Sequence, residues 1–250
     1  MRVLITGASS GIGRDIAFEF AGMGYDLVLA ARRTERLEEI KSKVNTNVTV
    51  ITVDLSKESE VRRLFAEAGK IDILINNAGF GVFGEFEKTD LDRELEMLRV
   101  NITALHMLMK LYINEFEKQG GGKILNVASS AAFCPGPMFS SYYASKAYVY
   151  RLTLAVDREL KYKKSPVSLS VLCPGPVNTE FDKVAKVSFG IGSLESRYVA
   201  KYAVRNLMKG KTVIVPGFSI KLARFFSAIC PDTLACRVTY RLQKHKKELQ

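Results

Sequence analysis

Apolar residues along this chain of 250 residues fall into two recurring patterns. The first is a short run, apolar on successive residues and rich in β-branched side chains. It occurs at 3–5, 26–30, 48–53, 71–75, 123–127, 167–173 and 213–215. Runs of this kind are expected for strands covered on both faces. The second pattern lies between them and has helical spacing: Ile12, Ile16, Ala17 and Phe20; Leu37, Ile40 and Val44; Val61, Leu64 and Phe65. Two longer helices are predicted near 90–118 and 140–162, the first broken by the glycines at 120–122. Ser56 is placed to cap the helix that carries Val61. Alternating strands and helices with no Pro/Ser-rich linker predict one α/β domain over 1–250. Its sheet is parallel and doubly wound, of about seven strands, with helices on both faces and right-handed crossovers.

The loop after the first strand changes the picture. Thr6-Gly7 ends the apolar run, and Gly11 and Gly13 follow just before the helix carrying Ile16. Glycines there permit a tight turn and a close approach of backbone to a ligand, and of helix to strand. The free N–H groups at the helix start make a site for a pyrophosphate. Alone, three glycines in a short window fit a structural turn as well as a nucleotide loop. The absence of Lys-Ser/Thr after the last glycine argues against the phosphate loop of nucleoside triphosphatases. In a doubly wound sheet ligands bind beyond the carboxyl ends of the strands. Thr6, Arg32, Asp54, Asn77, Ser129 and Thr179 all fall there. A structural role explains any one of them more easily than six on one edge.

Tyr142 and Lys146 lie four residues apart on a predicted helix, so they share a face about one turn apart. An ammonium beside a phenol stabilises the phenolate and is expected to lower the tyrosine from ~10 toward neutrality. Such a tyrosine can exchange a proton at working pH. Tyr143 has no lysine four residues on, which leaves Tyr142 as the candidate.

With these residues in view, roughly 1–215 resembles the short-chain dehydrogenase/reductase family. Four ordered motifs carry the likeness: Thr6-Gly7 with Gly11-Ile12-Gly13, Asn76-Asn77-Ala78-Gly79, Tyr142 with Lys146, and Pro174-Gly175-Pro176-Val177-Asn178-Thr179. The resemblance implies a Rossmann-type fold with 1–179 as cofactor-binding and catalytic core. Residues 180–250 would supply a substrate loop, the last strand and a basic amphipathic C-terminal segment. It also implies a catalytic serine thirteen residues before the tyrosine, which is Ser129 and not Ser130. The matching asparagine, Asn101, would support a water that extends the proton path beyond Lys146. Hydride would pass between a nicotinamide cofactor and a carbonyl or alcohol held by Ser129 and Tyr142. Tyr142 would act as general acid/base. Lys146 would lower its pKa and bind the nicotinamide ribose. The implied cofactor site comprises Thr6, Gly7, Ser9, Ser10, Gly11, Ile12, Gly13, Arg14, Arg32, Asp54, Leu55, Asn77, Ala78, Gly79, Tyr142, Lys146, Pro174, Gly175, Val177 and Thr179.

Cofactor choice follows from the end of the second strand. NAD-selective sites place a carboxylate there for the ribose 2′-hydroxyl. This chain has Ala30-Ala31-Arg32-Arg33. Arg32, assisted by Arg14 or Ser10, suits a 2′-phosphate, so NADP(H) is expected over NAD(H). Asp54 is expected to meet the adenine amino group, with Leu55 against the ring. Phe80, Phe83, Phe133, Pro135, Met138, Phe139 and the stretch 181–191 are candidates to wall the substrate. Their apolar character points to a hydrophobic carbonyl or alcohol.

Composition sets outer bounds. Four scattered cysteines (Cys134, Cys173, Cys230, Cys236) without CxxC, and two distant histidines, point to reduced thiols and no metal site. The glycine loop begins almost at Met1 and no apolar run nears the ~20 residues that span a bilayer. A cytoplasmic protein, at most peripheral at a membrane, is expected. Net charge is +11, and 217–250 holds seven Lys/Arg against Asp232 and Glu248. Apolar residues at helical spacing (Ile220, Ala223, Phe226, then Leu234, Val238, Leu242) lie between them. This segment fits packing on the body or on a sister subunit, or a peripheral membrane contact. It also fits nucleic acid by charge alone, although no nucleic-acid motif accompanies it. A homodimer or homotetramer is implied by resemblance only. The rival to an enzyme is a cofactor-sensing or scaffold protein without turnover, and a third reading is a lipid-binding protein acting through its tail.

Overall fold

The computed structural model describes residues 1–181 and 193–248. The strands are β1 (Arg2–Thr6), β2 (Asp26–Ala31), β3 (Val48–Thr52), β4 (Ile73–Asn76), β5 (Gly122–Val127), β6 (Val167–Leu172), and the two-residue β7 (Val177–Asn178), β8 (Leu194–Glu195) and β9 (Val213–Ile214). Seven of them form one sheet in the order β3-β2-β1-β4-β5-β6-β9, with every ladder parallel. β7 and β8 pair separately. After β1 the chain builds outward through β2 and β3, then returns to place β4 on the other side of β1. The loops following β1 and β4 therefore leave in opposite directions, which opens a crevice at the carboxyl edge.

Side-chain alternation explains how both faces are covered. Val3, Ile5, Leu27, Leu29, Ile73 and Ile75 point to one face, where they meet helices α1 (Gly11–Gly22) and α2 (Thr34–Lys41). Leu4, Val28, Ala30 and Leu74 point to the other, against α3 (Glu58–Ala68) and the helices that follow α4 (Leu91–Leu98). These are α5 (Leu105–Lys118) and α6 (Ser140–Tyr162). One apolar run thus feeds two cores because successive residues face opposite ways.

The chain departs from the sequence-based expectations in several places, one being α2, which ends at Lys41 and leaves Val44 outside it. The expected helix over 90–118 is interrupted by a π-helical turn, Arg99–Ala104, between α4 and α5. Such turns concentrate at functional sites, and this one carries Asn101. Ser56 does not cap α3; its amide and hydroxyl both donate to Asp54 Oδ1, and the helix starts after Lys57. β4 begins at Ile73 because the Asp72 carboxylate accepts the Arg2 amide at 2.7 Å. A helix absent from the sequence reading, α7 (Ser196–Met208), lies on α1 through Val199, Ala200, Ala203, Val204 and Leu207. Its small residues allow close packing. The chain ends in two further helices, α8 (Phe218–Ser227) and α9 (Asp232–Glu248).

Candidate active site

A cleft of about 460 Å³ follows the carboxyl edge of the sheet. Its walls come from the segments after β1 through β6. The loop after β1 is shaped by contacts with the loop after β4. Gly7 has φ +64°, and a Cβ there would sit 2.8 Å from Ala78 Cα. The Thr6 hydroxyl donates to Ile75 O (3.3 Å) and accepts from the amides of Asn77 (3.0 Å) and Ala78 (3.1 Å). Asn77 Nδ2 donates back to Thr6 O and Gly7 O. A Cβ on Gly13 would meet Asn77 Nδ2 and lie 2.5 Å from Gly7 O. Thr6 and Gly13 therefore hold the loop's shape from behind and lie outside the cleft lining. Gly7, Ser9, Ser10, Gly11 and Ile12 do line it, as do Asn77, Ala78 and Gly79. Ser10, at the start of α1, makes no side-chain capping bond, so first-turn N–H groups remain for an anion.

Two arginines stand after β2, and the structure redistributes the roles expected of them. Arg32 lines the cleft, pairs with Glu96 (3.0 Å), and lies near enough to Asp54 to act on its carboxyl. Partial burial pushes Asp54 up, but the Ser56 bonds with Arg32 and Lys57 outweigh it and bring the group below its usual value. Arg33, which the sequence reading passed over, donates to Ser9 Oγ (3.0 Å) and Ser10 Oγ (2.9 Å) in the glycine loop. Its other arm pairs with Glu180 (2.8 Å), which also binds Arg36. Hydrogen bonds from Arg36 and Arg33 hold Glu180 down at about 2. Arg14 is bound to Asp15 (2.9 Å) and faces a separate hollow with α7, whose Ser196 also bonds Asp15. It is not placed to assist at the cleft. Leu55, Pro174, Gly175, Val177 and Thr179 complete the lining, and a Cβ on Gly11 would touch Thr179 Cγ2 at 3.1 Å.

The inner end brings Ser129, Tyr142 and Lys146 together. Ser129 follows β5, its hydroxyl accepting the Ala131 amide (3.1 Å), and it stands near enough to the Tyr142 phenol to act on its ionisation. Lys146 is buried and donates from Nζ to Val127 O (2.9 Å); Nζ lies 5.8 Å from the centre of the Tyr142 ring. Burial brings Lys146 down to about 8. Burial also pushes Tyr142 above its ordinary value, the nearby Ser129 hydroxyl opposing without prevailing. Lys146 is not among the groups that act on the phenol in this arrangement, where desolvation dominates and the ammonium is directed at the Val127 carbonyl. Asn101 is 1% exposed and outside the cleft lining. Its Nδ2 donates to Phe80 O (2.9 Å) and Ser145 Oγ (3.1 Å), and its Oδ1 accepts the Phe80 amide (3.1 Å). A Cβ on Gly79 would lie 2.8 Å from Asn101 Oδ1 and 3.2 Å from Lys146 Nζ, so this glycine lets the loop pass close against both.

Aromatic rings surround the phenol. Phe139 stacks on Tyr142 with centroids 4.5 Å apart, and Phe181 lies at 5.3 Å. Phe80 and Tyr143 add to the wall, while Phe83 packs on Phe139 from outside. Phe133 belongs to a different cluster, against Tyr150. Residues 182–191 of the expected substrate stretch lie outside the described residues. Among the described residues no group of His, Cys, Asp and Glu is placed to hold a metal.

A family model described as short chain dehydrogenase matches residues 1–187. An uncharacterized oxidoreductase of Staphylococcus saprophyticus is 37% identical over 183 residues, spanning 71% of this chain and 74% of that protein. The 11-beta-hydroxysteroid dehydrogenase 1A of Arabidopsis thaliana is 30% identical over 266 aligned residues, covering 95% of this chain and 75% of the relative. Among solved structures, a short-chain dehydrogenase from Sphingobium yanoikuyae in complex with NADPH superposes with a TM-score of 0.82 at 29% identity, covering 91% of this chain and 92% of its own.

Proposed function

The chain belongs to the short-chain dehydrogenase/reductase family and is an oxidoreductase of hydroxyl and carbonyl groups; on that premise we propose that it uses NADP(H) in preference to NAD(H) and acts on a hydrophobic carbonyl or alcohol, with Tyr142 as general acid/base. The observation that carries the reading is the convergence of Ser129, Tyr142 and buried Lys146 at the aromatic end of a cleft that begins at the glycine loop.

A bound nicotinamide dinucleotide supplies or accepts the hydride. The remaining work falls to this chain's side chains. The Ser129 hydroxyl donates to the substrate oxygen and holds it against the Tyr142 phenol. Burial keeps that phenol protonated, which suits donation to an oxygen gaining negative charge. In the oxidative direction the phenolate needs a nearby cation, and Lys146, one helical turn away, is that group. With its pKa near 8, Lys146 exchanges protons close to neutral pH. Asn101 holds the Phe80 backbone and Ser145 behind the lysine and extends the proton path through water. Phe139, Phe181, Phe80 and Tyr143 exclude bulk water and favour an apolar substrate.

Preference for NADP(H) is supported by the missing carboxylate after β2 and by two guanidinium groups flanking the strip between Ser9-Ser10 and Asp54. A Sphingobium relative is solved with NADPH and a Burkholderia structure with NAD, so the preference rests on this chain's own arginines, while the hydroxysteroid activity in the Arabidopsis relative's name agrees with an apolar substrate.

The test is NADPH oxidation over a panel of steroid and aryl ketones, comparing wild type with Tyr142→Phe. Turnover is expected to fall by about a hundredfold to ten-thousandfold while NADPH affinity is kept. Wild-type turnover in Tyr142→Phe would remove the acid/base assignment. Tight NADPH binding without turnover of any panel member by wild type would favour a cofactor-sensing scaffold.

A further inference from the structure

A helix lying on a soluble body turns its apolar stripe inward. The α8–α9 pair does the reverse. Helix α8 has no buried residue, and its half-buried side is Ile220, Arg224 and Ser227. Helix α9 turns half-buried Ala235 and Cys236 and two polar anchors to the body: Thr239 Oγ1 donates to Pro135 O (2.9 Å), and buried Gln243 donates from Nε2 to the Tyr143 hydroxyl (3.0 Å). The apolar residues point away. Phe218 is 79% exposed, Phe225 64% and Ile229 68%, with Leu222 and Phe226 beside them. On α9, Leu234, Val238 and Leu242 repeat at four-residue spacing, all at least half exposed. A ten-residue helix is marginal on its own in water, so an unpacked one with this face calls for an apolar surrounding.

We propose that α8 and α9 dock on an anionic lipid surface, with these apolar side chains in the boundary between headgroups and acyl chains. Charge selects this occupant. Residues 217–250 carry seven Lys/Arg and two acidic residues, and exposed Lys221, Arg237, Arg241 and Lys244 stand among the apolar positions. A second copy would oppose this basic surface with its own, whereas anionic headgroups complement it. Among the described residues no helix is long and apolar enough to cross a membrane, so the pair lies on the surface. The docking face adjoins the cleft. Ile220 fills the space where a Gly175 Cβ would stand (2.7 Å), and Gln243 braces Tyr143; Gly175 and Tyr143 both line the cleft. A substrate dissolved in the bilayer would then reach the aromatic end of the cleft at the membrane surface. This access route rests on the reading of the cleft given above, whereas lipid docking does not.

The experiment is flotation of the full-length protein with vesicles of phosphatidylcholine alone, or of an equimolar mixture with phosphatidylglycerol, at roughly 0.1 M salt. Wild type is expected to float with the anionic vesicles and about tenfold less with the neutral ones. Phe225→Ser/Ile229→Ser, which alters only outward residues, should weaken flotation by about tenfold or more. Lys221→Gln/Arg241→Gln should lose the preference for anionic vesicles. NADPH titration of the same samples should be unchanged, and a protein that floats but binds no NADPH would overturn the cleft reading alone. The proposal is overturned if wild type stays in solution with both vesicle types. It is equally overturned if wild type is a dimer that Phe225→Ser/Ile229→Ser converts to monomer, since a second copy would then cover the face.

Discussion

Replacing Arg32 and Arg33, singly and together, by alanine tests the cofactor preference where the structure differs most from the sequence reading. A guanidinium gives a phosphate charge-assisted hydrogen bonds worth roughly 1.5–3 kcal/mol. Each arginine must first leave an ion pair, Arg32 with Glu96 and Arg33 with Glu180. These partners are solvent-accessible, with side-chain exposures of 60% and 25% in the first pair and 44% and 38% in the second. Giving up such a pair costs about 0–1 kcal/mol. The net contribution is about 0.5–3 kcal/mol per arginine, or a loss of roughly twofold to 150-fold in NADPH affinity for each single variant. The two residues are neighbours, so the double variant should fall short of the product of the two losses. NADH affinity should change by less than about threefold, because NADH lacks the phosphate. Calorimetric titration of the four proteins with both cofactors reads this directly. An unchanged NADPH-to-NADH ratio in the double variant would refute the argument. Equal weakening of both cofactors by Arg33→Ala would show that this arginine only shapes the loop through Ser9 and Ser10.

Two further outcomes follow from packing and burial. Gly13→Ala should cost about 1–3 kcal/mol, because its methyl would press on Gly7 O at 2.5 Å, a backbone atom that cannot rotate away. A fall in thermal midpoint together with weaker NADPH binding checks it, and an unaltered midpoint would contradict the packing role. Lys146 makes stability depend on pH in a definite direction. Its folded value near 8 lies below the ordinary 10.5, so between these values the unfolded chain binds more protons and stability rises with pH. The unfolding free energy of wild type relative to Lys146→Met should therefore climb by roughly 3 kcal/mol at most across that window, and stay level below it. Urea titrations at stepped pH measure it, and parallel profiles for the two proteins would show that the lysine is not held at a desolvation cost.

What the sequence determined by itself was carried by short-range regularities. Short apolar or β-branched runs placed the seven strands of the main sheet; the inner ones, covered on each side, have no polar alternation to keep, whereas edge strand β3 leaves Thr49 and Thr52 exposed. Spacing put Tyr142 and Lys146 on one face of α6, and glycines marked the loop where a Cβ would strike Ala78. The helical period of Val199, Ala200, Ala203, Val204 and Leu207 was equally legible, although the reading passed over α7.

The tertiary structure decided what depends on distant partners. Arg33 stands beside Arg32, yet only the fold shows which meets Ser9 and Ser10, because those serines lie over twenty residues away. Thr6 and Gly13 turned out to brace the loop from behind, a role that exists only once β4 returns beside β1. The tail's helical period was visible, but not which way it faced: Gln243 reaches Tyr143 across a hundred residues and turns the apolar stripe outward. The ionisation of Tyr142 and Lys146 was likewise beyond local spacing. Burial acts on both through all the groups that exclude water from them, and that collective effect outweighs the four-residue proximity from which a lowered tyrosine was expected.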